Sequence, residues 1–174
     1  MTALAPKIIL LTGQAEAPFL AGFLRDGSTI PPEIVHVEDI AELAAAARRG
    51  DRLISFLCEF VVPPALLQRL DYNAYNFHPG PPAFPGAHPV AFALYEQVRE
   101  YGVTAHRMAD RVDSGTIVGI EPIHILPGWN YVDLSEAAMM ALGAIFRALV
   151  PELLNIPTPI PALGRTWAGR RCTR

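Results

Sequence analysis

The sequence predicts an α/β fold, one domain built on a mostly parallel central sheet flanked by helices. Three observations carry this. Short, partly β-branched apolar runs alternate with segments of helical periodicity. The chain has 174 residues, the size of one ordinary domain. It is 51% hydrophobic and 18% charged, the balance of a chain that buries a core.

The elements follow in order. Residues 7–11 read as a buried strand ended by Thr12 and Gly13. Residues 18–26 set Phe19, Leu20, Phe23 and Leu24 at helical spacing, with Pro18 suited to a first turn and Gly27 to a C-terminal cap. Residues 34–37 are a second strand. Asp39, with Glu42 three residues on, reads as a capping box for a helix that ends in Arg48 and Arg49 and stops at Gly50. Residues 53–57 are a third strand, and Pro63 and Pro64 open a short helix carrying Leu66, Leu67 and Leu70. Residues 74–77 are a fourth strand, running into His78 and a Pro/Gly loop. Strands and helices alternating at this spacing predict parallel pairing, with ligands at the edge formed by the strand C-termini.

The second half has a different rhythm. Residues 89–100 read as a helix that His88 caps and Gly102 stops. Strands at 103–108 and 116–125 follow, joined by a turn at Asp113, Ser114 and Gly115. Asp133 and Glu136 suggest a capping box for a helix to about Leu149, with Leu134, Ala138, Leu142, Ile145 and Leu149 on one face. Residues 1–150 are therefore expected to form the folded domain. Residues 151–174, with Pro151, Pro157, Pro159, Pro161 and then Arg165, Arg170, Arg171 and Arg174, read as a Pro/Arg-rich C-terminal tail that wraps the domain or reaches a partner.

Net charge is −3, which gives no pull toward nucleic acid or an anionic membrane. Cys58 and Cys172 make neither a metal-ligand spacing nor a disulfide framework, so no metal is expected and the cytoplasm is the simplest compartment. The first eleven residues are too short for a signal peptide or a membrane span.

The chemistry lies at two places. Asn76 and His78 are two apart on a strand, so an amide and an imidazole project from one face at a strand end. The loop HPGPPAFPGAHP that follows can be rigid without regular structure. The second place is Val112, Asp113, Ser114, Gly115. Alone, an Asp before Ser-Gly is ordinary turn chemistry and an Asn at a strand end an ordinary turn residue.

Together these residues are more informative. Asn76-x-His78, then Gly102-x-Thr104-x-His106, then Val112-Asp113-Ser114-Gly115 resembles the folate-dependent formyltransferases, over about residues 52–150. That family includes methionyl-tRNA, glycinamide ribonucleotide and amino-sugar formyltransferases. The resemblance implies a Rossmann-like formyltransferase fold, 10-formyltetrahydrofolate as formyl donor, and Asn76, His78 and Asp113 as the catalytic set. An amine attacking a formyl carbon builds negative charge on its oxygen. Asn76 can donate an N–H to it, and His78 can donate or move a proton. Asp113 can orient the imidazole or take the amine's proton through a water. The resemblance also implies a pterin held largely by backbone, at Leu57, Cys58, Glu59, Phe60 and Val61 and at Met108, Asp110 and Val112. His106 stands between a core histidine and a direct role. Trp129 and Trp167 stand between packing and an acceptor site. His36 and His124 are given no role.

The chain departs from the family at the loop. Where relatives carry His-x-Ser-Leu-Leu-Pro, this chain has His78, Pro79, Gly80, Pro81, Pro82. Its first loop, residues 12–16, has one glycine and an acidic residue and suits a phosphate poorly, so a purine role is not expected. The expected acceptor is a small-molecule amine, with a homo-oligomer as a possible assembly. Two other readings remain: a 10-formyltetrahydrofolate hydrolase using the same residues, and a non-catalytic folate- or partner-binding module. A dehydrogenase is disfavoured, because no Gly-x-Gly-x-x-Gly follows the first strand.

Overall fold

A computed structural model describes residues 7–168. The order is β1 (Ile8–Leu11), α1 (Ala17–Asp26), β2 (Ile34–Val37), α2 (Ile40–Ala46), β3 (Arg52–Phe56), α3 (Pro64–Arg69), β4 (Ala74–His78), α4 (Pro89–Tyr95), β5 (Glu100–Arg107), β6 (Ile117–His124), α5 (Tyr131–Ala148) and α6 (Val150–Leu154). One six-stranded sheet runs β2-β1-β3-β4-β5-β6. The first four strands are parallel, and β5 and β6 continue antiparallel. This is the predicted α/β architecture.

The period-2 alternation of a strand divides the core in two. Ile8, Leu10, Ile54, Phe56, Tyr75 and Phe77 face α1, α5 and α6. Ile9, Leu11, Leu53 and Ala74 face α2 and α3, where Leu43, Leu66 and Leu67 meet them. Phe146 of α5 lies edge-on to Phe56 and 5.1 Å from Phe77, so the longest helix is seated directly over β3 and β4.

Several expected boundaries move, each for a local reason. The second helix ends at Ala46, short of Arg48, because the Asp51 carboxylate takes the Arg48 N–H at 2.9 Å and the Lys7 ammonium at 2.8 Å. Asp39 caps Glu42 N as expected, but Glu42 reaches back to Glu38 N, not to Asp39. The fourth helix stops at Tyr95, far from Gly102. Gln97 turns left-handed (φ 53°), and Glu100 already belongs to β5. His88 sits at the N-cap in a left-handed conformation, but its side chain makes no cap bond. The fifth helix starts earlier than expected: Asn130 accepts from Val132 N and Asp133 N, and Asp133 accepts from Asn130 N.

The chain beyond 150 is packed against the sheet. Pro151 lies in the first turn of α6, where its missing N–H costs nothing. Val150, Leu153, Ile156 and Ile160 are buried in the larger core cluster. Of the expected tail arginines, Arg170, Arg171 and Arg174 lie outside the described residues, as does Cys172. Among the described residues no helix is long and apolar enough to cross a membrane.

Candidate active site

The parallel strands β3 and β4 end side by side, Ser55 paired with Asn76 and Phe56 with Phe77. On its other side β4 pairs antiparallel with β5, setting Asn76 opposite His106 and His78 opposite Thr104. A carboxamide and two imidazoles thus converge at one sheet edge. Asn76 Nδ2 lies 3.3 Å from His106 Nε2.

Asp113 completes the group from the β5–β6 loop. Its Oδ1 is 3.2 Å from His106 Nε2 and its Oδ2 is 3.6 Å from His78 Nδ1. Gly86 N donates to Oδ2 at 2.8 Å, tying the Pro/Gly loop to the same carboxylate. Asp113 is left-handed (φ 48°), an uncommon conformation for any residue but glycine, and one that Asp and Asn tolerate best. Gly115 then folds against the end of β5. A Cβ there would lie 1.8 Å from Arg107 O, so no side chain fits. The Asp-Ser-Gly turn is specific for this geometry: one residue supplies the carboxylate, another the close backbone contact.

Burial and hydrogen bonding set the protonation pattern. Arg107 O accepts from His106 Nδ1 at 3.0 Å, which leaves Nε2 for Asn76 and Asp113. Phe84 O accepts from His78 Nε2 at 3.0 Å. Burial holds the His78 imidazole below its ordinary range, against the opposing pull of Asp113 and the Phe84 carbonyl. For Asp113, burial is the largest influence and pushes upward. The His106 hydrogen bond, the facing His78 and the Gly86 N–H together outweigh it, and the carboxyl stays below the usual carboxylate range. The site therefore pairs an ionised carboxylate with a neutral His78.

These groups floor a cavity of about 660 Å³, of the size that takes a small ligand. Leu57, Cys58, Glu59, Phe60 and Val61 line one wall, and Met108, Asp110 and Val112 another, with Asn76, His78 and Asp113 at the junction. All eleven residues singled out in the sequence therefore meet at one cavity. Within it, Leu57 turns left-handed (φ 50°), Asp110 accepts from the Tyr72 hydroxyl at 2.8 Å, and burial pushes the Cys58 thiol upward. The sequence reading missed the wall given by α5, where Tyr131, Ser135, Ala138 and Met139 face the cavity. Their spacing is that of one helical face, which reads equally as core; Ser135 on that face was the available signal.

Two further features bound the histidines. A Cβ at Gly80 would lie 2.7 Å from His78 Nε2 and 2.6 Å from Pro89 Cβ, so the loop after His78 closes against the ring only with glycine there. Trp167, from the segment after α6, packs edge-on to His106 at 4.9 Å and His78 at 5.9 Å between ring centres.

Known proteins resemble this chain in sequence and in fold. The formyl transferase family model matches residues 32–146. A phosphoribosylglycinamide formyltransferase of Mycobacterium tuberculosis is 33% identical over 138 residues, 78% of this chain; the chain spans 63% of that relative's length. Among solved structures, the formyltransferase PseJ from Anoxybacillus kamchatkensis, in complex with UDP-4,6-dideoxy-4-formamido-L-AltNAc and tetrahydrofolate, superposes with a TM-score of 0.79. It is 21% identical, and the match covers 95% of this chain and 85% of that one. A phosphoribosylglycinamide formyltransferase from Anaplasma phagocytophilum gives a TM-score of 0.73 at 13% identity, covering 97% and 99%. These structural likenesses establish the Rossmann-like fold.

Proposed function

The chain belongs to the formyl transferase family, and from that premise we propose that it moves a formyl group from 10-formyltetrahydrofolate to the amine of a small acceptor. The observation that carries the reading is the continuous set Asn76, His106, Asp113 and His78 on the floor of the cavity. A formyl transfer needs a donor for the oxygen that becomes negative and an acceptor for the proton the amine must lose. The set supplies both.

Asn76 has two amide hydrogens. One reaches His106; the other is left for the formyl oxygen, where it stabilises the charge of the tetrahedral intermediate. His78, neutral and with its Nε2–H on Phe84 O, takes the proton of the attacking amine at Nδ1, directly or through a water, and passes it to the donor nitrogen as that nitrogen leaves. The ionised Asp113 makes that transfer favourable by facing the imidazolium it creates. His78 uses its N–H on Phe84 O and holds the Pro/Gly loop against Asp113. Attack forms the new C–N bond; collapse breaks the bond to the donor nitrogen, which leaves protonated as tetrahydrofolate. The wall at 57–61 and the stretch 108–112 suit a pterin, whose edge carries its own donors and acceptors.

The acceptor reading is a small amine without a phosphate anchored at the first loop. Gln14, Ala15 and Glu16 are in place of a glycine-rich turn, and Glu16 Oε2 leans over Gly13. The test is tetrahydrofolate release from 10-formyltetrahydrofolate, with and without pooled amino sugars and amino acids. Amine-dependent release supports the transferase. Amine-independent release makes the chain a hydrolase, and absence of release overturns both. Light scattering of the same preparation measures whether the chain is a homo-oligomer.

A further inference from the structure

The segment that follows α6 makes a series of contacts that burial alone does not require. At its root lies Arg52, a fully buried cation that forms no salt bridge among the described residues. Its guanidinium donates to the carbonyls of Glu152, Leu153, Ile156 and Thr158, the last three at 3.1, 2.9 and 2.7 Å, and to Asn73 Oδ1 at 2.9 Å. It also lies over the Tyr75 ring. The five planar donors of arginine suit such a cluster, and the C-terminal carbonyls of a helix are where a cation is favoured.

The segment is then stitched along the sheet toward the active site. Ile160 N donates to the Tyr75 hydroxyl at 2.9 Å, and Leu163 N to Ile117 O at 2.9 Å. Its last described bonds fall on the two loops that build the site. Trp167 Nε1 donates to Gly115 O at 2.8 Å, two residues from Asp113, and Ala168 N donates to Pro82 O at 2.9 Å, in the loop after His78. Trp167 does not line the cavity. It meets both imidazoles from outside it, at right angles to His106.

We infer that Trp167 is a positioning residue of the transfer reaction: held by a strap rooted at Arg52 and Tyr75, it fixes the Gly115 turn that carries Asp113 and closes the outer side of His78 and His106 to water. The inference rests on the formyl-transfer reading for its kinetic consequence but not for its structural one. Nothing in Asn-x-His or Val-Asp-Ser-Gly encodes this contact, and the strap reaches the site from a part of the chain outside the family match at 32–146. Small displacements of reacting groups are expensive: a misplacement of about 1 Å can cost on the order of 100-fold in rate.

The experiment compares the full chain with Trp167→Leu and Trp167→Phe by two readouts. The first is tetrahydrofolate release under amine saturation. Trp167→Leu is expected to lower kcat by roughly 10- to 100-fold while KM for the donor moves less than about threefold, with Trp167→Phe restoring part of the loss. An unchanged kcat, or a rise in donor KM alone, overturns the inference. The second readout needs no folate: the NMR titration of the His78 ring. Opening the outer side to water is expected to move its midpoint upward in Trp167→Leu. Where the wild-type chain shows no turnover at all, the transfer reading fails and this titration decides the inference, an unchanged midpoint overturning it. Where Trp167→Leu does not fold, Tyr75→Phe removes the acceptor for Ile160 N at the far end of the strap. It is expected to lower kcat in the same direction by less; an unchanged kcat there overturns the strap.

Discussion

Asn76 and His106 face each other across the β4–β5 ladder, amide nitrogen to imidazole Nε2 at 3.3 Å, although thirty residues separate them. The antiparallel pairing of one strand pair thus brings the proposed oxyanion donor against the imidazole that also faces Asp113. Asn76→Ala removes the donor and leaves the imidazole in place. Loss of one such donor costs on the order of 100- to 1000-fold in kcat. Steady-state tetrahydrofolate release is expected to fall by that amount, with a thermal midpoint close to wild type because Asn76 is only half-buried.

Asp113→Asn keeps an oxygen for the Gly86 N–H but loses the charge that His106 faces. A fall in kcat of at least about 100-fold is expected, with little change in donor KM. Full turnover in this variant would remove Asp113 from the mechanism.

Stability should depend on pH through His78. Its folded imidazole is held below its ordinary value, so between that folded value and about 6.5 the unfolded chain binds a proton that the folded chain does not. Stability therefore rises with pH across this window and is lost on acidification. Thermal melts from pH 7 to pH 5 are expected to show a falling midpoint, and His78→Gln to flatten the slope. Asp113 acts in a lower window. Its depressed folded value gives stability that is present above about pH 4 and disappears as pH falls through the folded value.

Two glycine substitutions are expected to move stability in opposite directions. Gly115→Ala drives a methyl group onto Arg107 O and is expected to cost at least about 3 kcal/mol in urea unfolding. Gly143→Ala lies in the interior of α5 with nothing within 4 Å of the new atom, and is expected to stabilise by about 0.5–1 kcal/mol.

The parallel half of the fold was legible because its signals are local. Residues 34–37 are the strand as observed, and Asp39 caps the helix after it. The motif residues were legible as a group because Asn76 and His78 close β4 and Asp113 lies in a tight left-handed turn, places where sequence and position are closely linked. What the sequence hid depends on distant partners. The Asp51 carboxylate that shortens α2 also takes a cation and a backbone N–H from Lys7, 44 residues earlier. Asn130 was overlooked as a cap because Asp133 and Glu136 offer the same pattern three residues on. Trp167 and Arg52 carry no local sign of their contacts at all. A tryptophan in a proline-rich stretch and an arginine opening an apolar strand look like surface residues until the chain returns past them.

The Arg52 cluster also bears on how the protein is made. β1, β3 and β4 have all their residues in hand once position 78 is synthesised, yet Arg52 in the central strand finds its carbonyls 100 to 106 residues later. Until those residues emerge, this guanidinium has only Asn73, the Tyr75 ring and water to meet it, and most of its donors await carbonyls not yet made. The middle of the nascent sheet is therefore expected to stay incompletely satisfied at Arg52 until α6 and the residues after it are made. The four carbonyls that complete it lie within seven residues of one another, so they become available together.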